Sequence, residues 1–417
     1  MQITNCYAYE IFDSRGWPTI ECCIQLANGK KVYACVPSGA SVGSQEALEL
    51  RDGDACRLLG KGVLQAIAYI NSTIAPKLIY QDINALAMDS ILMDLDHHPQ
   101  KTTVGANTTL AVSMALFKAQ AASENLELYQ VLQRVSGTPQ AKMPIPMFNV
   151  INGGAHANNN LHVQEYMIVP QAHDKDASKN YVEQLHAGVM FYQTLKKHVH
   201  DSGQSTNVGD EGGFAPNFES DTAPLQLLTD IAASLPEFSY KFALDVAASE
   251  MYNESTQTYD LLVEKNLSAE QLTTIYQDWC KNFAIMSIED GMAEHDLAGW
   301  KLLTEQLGDA VQLVGDDLFV TNPMKIRKGV LQKTANAVLI KPNQIGTVSQ
   351  TLAAIDVCKN KNLNIVISHR SGETNDTFIA DLAVGTACQY IKAGAPARGE
   401  RIAKYNRLLD INRTLYA

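Results

Sequence analysis

The second half of the chain repeats one pattern. Short apolar runs end in a polar residue at Asp245 (KFALD), Glu289 (AIMSIE), Asp316 (VQLVGD), Lys341 (AVLIK), Ser368 (NIVIS) and Lys392 (CQYIK). Runs of this kind, bounded by turn residues, read as buried strands. Helical patterns lie between the later ones, such as Val348, Leu352 and Ile355 behind Thr347 as a cap. Repeated strand–helix units imply parallel βα pairs and a closed barrel. The segment 143–417 is of barrel size, typically about 250 residues. The longer first step leaves room for a polar loop from Glu250 to Leu267.

The remainder is built differently. With 417 residues the chain is too long for one ordinary core, so two domains are expected. Ile20, Cys22, Ile24 and Leu26 alternate with polar or small neighbours, and Val32, Ala34 and Val36 do so after Asn28-Gly29. Asn-Gly between two alternating runs signals a hairpin. A strand near Ile3–Ile11 would complete an antiparallel meander. A small-residue loop, Val36 to Gly43, follows. From about Gln45 to Val135 the pattern is expected to be helical, most clearly over Ala106–Ala122. Breakers at Ser136–Pro139 and Met143–Pro146 then mark a connection. The expected fold class is α/β: an N-terminal α+β domain, 1–135, and a C-terminal α/β barrel, 143–417.

Composition narrows the function. A formal net charge of -12 argues against direct nucleic-acid binding and leaves any anionic substrate dependent on local positive groups. The opening MQITNCYAYEIFDSRG lacks a basic segment followed by a long apolar one, so no signal peptide is expected. No apolar run reaches membrane-spanning length. The 8 cysteines show no CxxC or CxxH spacing, which points to packing roles and a reduced, cytoplasmic compartment.

Barrels of this kind carry their active sites at the C-terminal strand ends. Asp245, Glu289 and Asp316 would therefore converge. A single carboxylate there usually caps or pairs, but three on successive strands repel unless a cation sits between them. Oxygen ligands without His or Cys suggest Mg²⁺. Glu289-Asp290 and Asp316-Asp317 are adjacent pairs, and the first member of each is assigned inward. Lys341, Arg370 and Lys392 supply positive charge for a carboxylate or phosphate. Half out of water, Lys341 would titrate lower than an exposed lysine and become usable as a base. Asp210 and Glu211 lie between glycines, and His156 follows Asn152-Gly-Gly-Ala; each reads equally well as a solvated turn. His198 and His200 read as surface residues of a helix.

These motifs resemble the enolase family, the phosphopyruvate hydratases of glycolysis, along essentially the whole chain. The resemblance rests on FDSRG, PSGAS, QEYMIVP, GDEGGFAP, SIEDG, VGDDLFVTN, LIKPNQIGT, SHRSGET and IKAGAPARGERIAKYN, in that order. It implies reversible dehydration of 2-phosphoglycerate to phosphoenolpyruvate with two Mg²⁺ per active site. It implies Lys341 as the base at C2 and Glu211, with Glu165 close by, as the acid at the leaving hydroxyl. Asp245, Glu289 and Asp316 match ligands of the first Mg²⁺, and Ser41 a ligand of the second. His156, Arg370, Ser371 and Lys392 match substrate contacts, with His369 beside them. A homo-oligomer, dimer or octamer, is also implied. Within the family's pattern Val42 replaces Thr, Trp17 replaces Asn, and GGAHANNN replaces GGSHADNN. Two other readings stand beside this one: a relative acting on a different carboxylate acid, and a binding or structural protein on the same scaffold.

Overall fold

The structure, a computed structural model, describes residues 1–40, 43–172 and 177–416. The N-terminal strands β1 (Ile3–Phe12), β2 (Pro18–Leu26) and β3 (Lys31–Cys35) form an antiparallel meander. Asn28-Gly29 makes the expected turn between β2 and β3, with Gly29 at φ +83°, a conformation glycine adopts without strain. Helix formation begins later than the sequence pattern predicts. Residues 45–63 are mostly irregular, and the first α-helix starts at Leu64. Asp52 explains part of this: its carboxylate accepts from the backbone N–H groups of Leu64 and Gln65 and so caps the helix from a distance.

The barrel strands are β4 (Ile145–Asn152), β5 (Glu165–Gln171), β6 (Ser239–Asp245), β9 (Ile285–Glu289), β10 (Gln312–Gly315), β11 (Ala337–Ile340), β12 (Asn364–Ser368) and β13 (Tyr390–Lys392). The two-residue strands β7 (Tyr252–Asn253) and β8 (Thr258–Tyr259) form a hairpin within the polar loop after β6. The barrel closes in the order β10-β11-β12-β13-β4-β5-β6-β9. All six runs read as strands from the sequence are strands. Regular alternation fails at the start, because β5 runs antiparallel to both β4 and β6. Met147, Met167, Val169, Ala243, Val314, Leu339 and Val366 fill the barrel interior. The opposite faces of the strands pack under the helices, so each run is buried on both sides and shows no polar alternation.

The helix Ala106–Glu124 joins the two halves. It is buried nearly all round, packs on β2 and β3, and carries hydroxyls at the barrel contact. Thr109 Oγ1 donates to the Gly346 carbonyl at 2.7 Å, and Ser113 Oγ accepts from the Val348 N–H at 2.9 Å. These bonds explain the Thr and Ser spaced through an otherwise apolar helix. They satisfy backbone groups that burial would leave unpaired. The helix over Ala177–Asp201 carries His198 and His200 on its last turns, His200 exposed and His198 also at the surface.

Candidate active site

Strand register sets the site. Glu165 opens β5 opposite Asp245, which ends β6, and Asp245 lies opposite Glu289, which ends β9. Because β5 is reversed, its first residue shares a barrel end with the last residues of its neighbours. Asp316 follows β10, Lys341 follows β11, and Lys392 ends β13 beside Ser368 of β12. One pocket is lined by Glu165, Glu211, Asp245, Asp316, Lys341 and Lys392, together with His156, His369, Arg370 and Ser371.

Two ammonium groups, Lys392 buried and Lys341 partly buried, organise the acids. Lys392 Nζ lies 2.9 Å from Asp245 Oδ2, 3.0 Å from both Glu289 oxygens and 3.1 Å from Glu165 Oε1. Lys341 Nζ bonds Asp316 Oδ2 at 2.5 Å. Gln344 Nε2 donates to the other Asp316 oxygen at 2.8 Å, and Thr321 Oγ1 accepts from the Lys341 N–H at 2.9 Å. Burial alone would lower both lysines. For Lys392 the carboxylates of Asp245, Glu165 and Glu289 outweigh it and hold the group well above the ordinary lysine value. For Lys341 burial is again the largest single influence, yet Asp316 and Glu289 carry it upward. In the metal-free chain the direction is therefore opposite to the expected lowering: the carboxylates around the amine together outweigh desolvation.

A second wall comes from turns. Glu211 sits in the Gly-rich turn, where Asn149 Nδ2 donates to Glu211 Oε2 at 2.9 Å. His156 Nδ1 and His369 Nε2 each lie 3.5 Å from Glu211 Oε1. Burial pushes Glu165 upward, helped by the charge of Glu211, so Glu165 sits well above the usual carboxylate range. Burial pushes Glu211 up as well, but His156 and His369 outweigh it and hold Glu211 well below that range. His369 is held below the ordinary histidine value, chiefly by burial.

The N-terminal domain closes one side. Ser38 and Gly372 exchange backbone hydrogen bonds at 2.7 and 2.9 Å, and the Ala40 N–H donates to Ser371 Oγ at 2.7 Å. The fit at Gly372 is tight, since a Cβ there would lie 2.3 Å from Asp13 Oδ2. Arg370 donates to Glu46 Oε2 at 2.7 Å and to Asn343 Oδ1 at 3.1 Å. Glu46 is a site residue that the sequence pattern did not single out. Ser41 and Val42 lie outside the described residues.

Among the described residues, two groups place ligand atoms within 4.8 Å of one another: His156, Glu165 and Glu211, and Asp290, Asp316 and Asp317. The sequence reading turned Asp290 and Asp317 away from the pocket, yet both line it. The Asp290 carboxylate accepts from the N–H groups of Asp316 and Asp317, both at 2.9 Å. Asp245 and Glu289 lie on Lys392. Asp245, Glu289 and Asp316 are carboxylates on three neighbouring strand ends, the donor chemistry of a hard divalent cation, although their oxygens do not form one of these two groups. Glu289 is pushed well above its ordinary range by burial and then by Asp245, a repulsion that a cation would relieve.

The fold and this pocket define a class: α/β-barrel proteins with carboxylates and lysines at their strand ends and an N-terminal capping domain. Two family descriptions match the chain: "Enolase, N-terminal domain" over residues 3–132 and "Enolase, C-terminal TIM barrel domain" over residues 140–417. The chain belongs to the enolase family. Among the described residues no helix is long and apolar enough to cross a membrane.

Proposed function

We infer that this chain catalyses the reversible, Mg²⁺-dependent dehydration of 2-phosphoglycerate to phosphoenolpyruvate, acting as a cytoplasmic homo-oligomer. One observation carries the reading: Lys341, from a strand end, and Glu211, from a Gly-rich turn, line the same pocket, with Lys392 among the acids. A base and an acid on separate elements suit a reaction that takes a proton from one carbon and expels hydroxide from the next.

In this reading Arg370, Ser371 and His156 bind the phosphate end of the substrate, and Lys392 faces its carboxylate. Lys341 takes the C2 proton. It can do so only when Asp316 no longer holds it as the ammonium, so the base and the ligand role of Asp316 are linked. Glu211 and Glu165 deliver a proton to the departing hydroxyl. The two side chains are close enough to share that proton. His156 and His369 fix the Glu211 carboxylate. Asp245, Glu289 and Asp316 would hold one Mg²⁺ and Ser41 would help hold a second; when bound, these ions neutralise charge building on the substrate carboxylate. The test is direct: purified protein with 2-phosphoglycerate and Mg²⁺ should develop enol-phosphate absorbance. No absorbance from folded, metal-loaded protein would refute the assignment.

A further inference from the structure

The side chain of Arg401 is fully buried in the first turn of the helix Gly399–Leu415, behind the pocket rather than in it. Its guanidinium donates to three carbonyls: Arg370 at 2.7 Å, Ser371 at 2.6 Å and Asp210 at 3.0 Å. Its Nε lies 3.4 Å from Glu400 Oε1. The remaining contact is the informative one: Arg401 Nη1 lies 2.6 Å from His369 Nδ1.

We propose that Arg401 is a positioning residue that fixes His369 as the neutral tautomer with its proton on Nε2, aimed at Glu211. A guanidinium can only donate, so the nitrogen it meets must present a lone pair. That nitrogen is Nδ1, and a neutral ring then carries its hydrogen on Nε2. His369 Nε2 is buried without another hydrogen-bond partner and lies 3.5 Å from Glu211 Oε1. The same guanidinium holds the carbonyl of Asp210, the residue before Glu211. One side chain thus sets the donor, and the chain position of the acceptor that it faces. Space reserved for it supports the point: a Cβ at Gly394 would lie 2.8 Å from Arg401 Cδ.

The tautomer is a property of the ligand-free chain; the catalytic consequence rests on the function proposed above. Nitrogen-15 NMR of histidine-labelled full-length protein, with His369 assigned by His369→Gln, reads the first directly. The expected wild-type pattern at neutral pH is a protonated Nε2 and a bare Nδ1. A protonated Nδ1 would overturn the proposal, whether or not the protein turns over 2-phosphoglycerate. In Arg401→Met the fixed pattern should disappear, and an unchanged pattern in folded variant would also overturn it. If that variant does not fold, the wild-type spectrum decides alone. Given wild-type turnover, Arg401→Met should lower dehydration by about 10²-fold, the lower end for a disabled acid–base group. C2 proton exchange and the substrate KM should change far less. Equal loss of exchange and dehydration would show a general structural role instead.

Discussion

Two acidic clusters line one pocket and are built from different parts. In His156–Glu165–Glu211 the carboxylates face histidines, an asparagine and the Lys392 ammonium. In Asp290–Asp316–Asp317 they face backbone N–H groups, Gln344 and the Lys341 ammonium. The first arrangement separates two like groups: Glu165 is driven up and Glu211 down. The second drives Asp290 and Asp317 the same way, upward, by burial and by repulsion from nearby carboxylates, Asp316 among them. Environments that push two acids apart suit proton transfer. Acids crowded together, two of them disfavoured as anions, suit a cation.

The largest expected effect follows from that second cluster and its neighbours Asp245 and Glu289. Stripping divalent metal should abolish turnover, and Mg²⁺ should restore it. Full activity in excess chelator would erase the distinction between the two clusters.

Stability should show the same contrast against pH. Glu165, Glu289, Asp290 and Asp317 are held above their ordinary range in the folded chain, so they bind protons more tightly there than in the unfolded chain. Their contributions therefore weaken as pH rises above the unfolded value of about 4. Each proton so held adds up to about 1.4 kcal/mol of loss per pH unit. Glu211 and Asp245 act in the opposite sense, because their folded values are lowered: their contributions are lost only as pH falls below the unfolded range. Lys341 and Lys392, raised, contribute stability that is lost only at alkaline pH. Urea unfolding of metal-free protein from pH 5 to 8 should accordingly show a net decrease in stability, opposed below about 6.5 by His369, whose folded value is lowered, and flattened by saturating Mg²⁺. A rise across that window without metal would contradict the charge reading.

The smallest effect is expected at Val42, where Thr is usual. Ser41, not position 42, is assigned the ligand oxygen, so Val42→Thr should change turnover by less than about tenfold, roughly 1.4 kcal/mol. A much larger change in steady-state rate would give position 42 a role of its own.

How far the sequence carried these assignments differs by element. Asp245, Glu289, Asp316, Lys341 and Lys392 are visible because each closes an apolar run, and a parallel barrel collects such ends. Glu165 opens its strand, and only the resemblance pointed to it; no spacing reveals that β5 is reversed. Alternation misplaced Asp290 and Asp317 because the chain has already left the strand there, with Asp290 at φ +41°. Residues 45–63 looked helical by composition, but side-chain bonds to backbone hold them irregular. Arg401 and Glu46 act through buried polar contacts between segments far apart in sequence, and periodicity carries no trace of those.

The central claim is that base and acid are separate residues, Lys341 and Glu211. Exchange of the C2 hydrogen of 2-phosphoglycerate with heavy water, followed by NMR, separates them. Lys341→Ala should lose both exchange and dehydration, since no base remains. Glu211→Gln should lose dehydration by about 10²–10⁴-fold yet keep measurable exchange. Wild-type exchange in Lys341→Ala, with none in Glu211→Gln, would reverse the two roles.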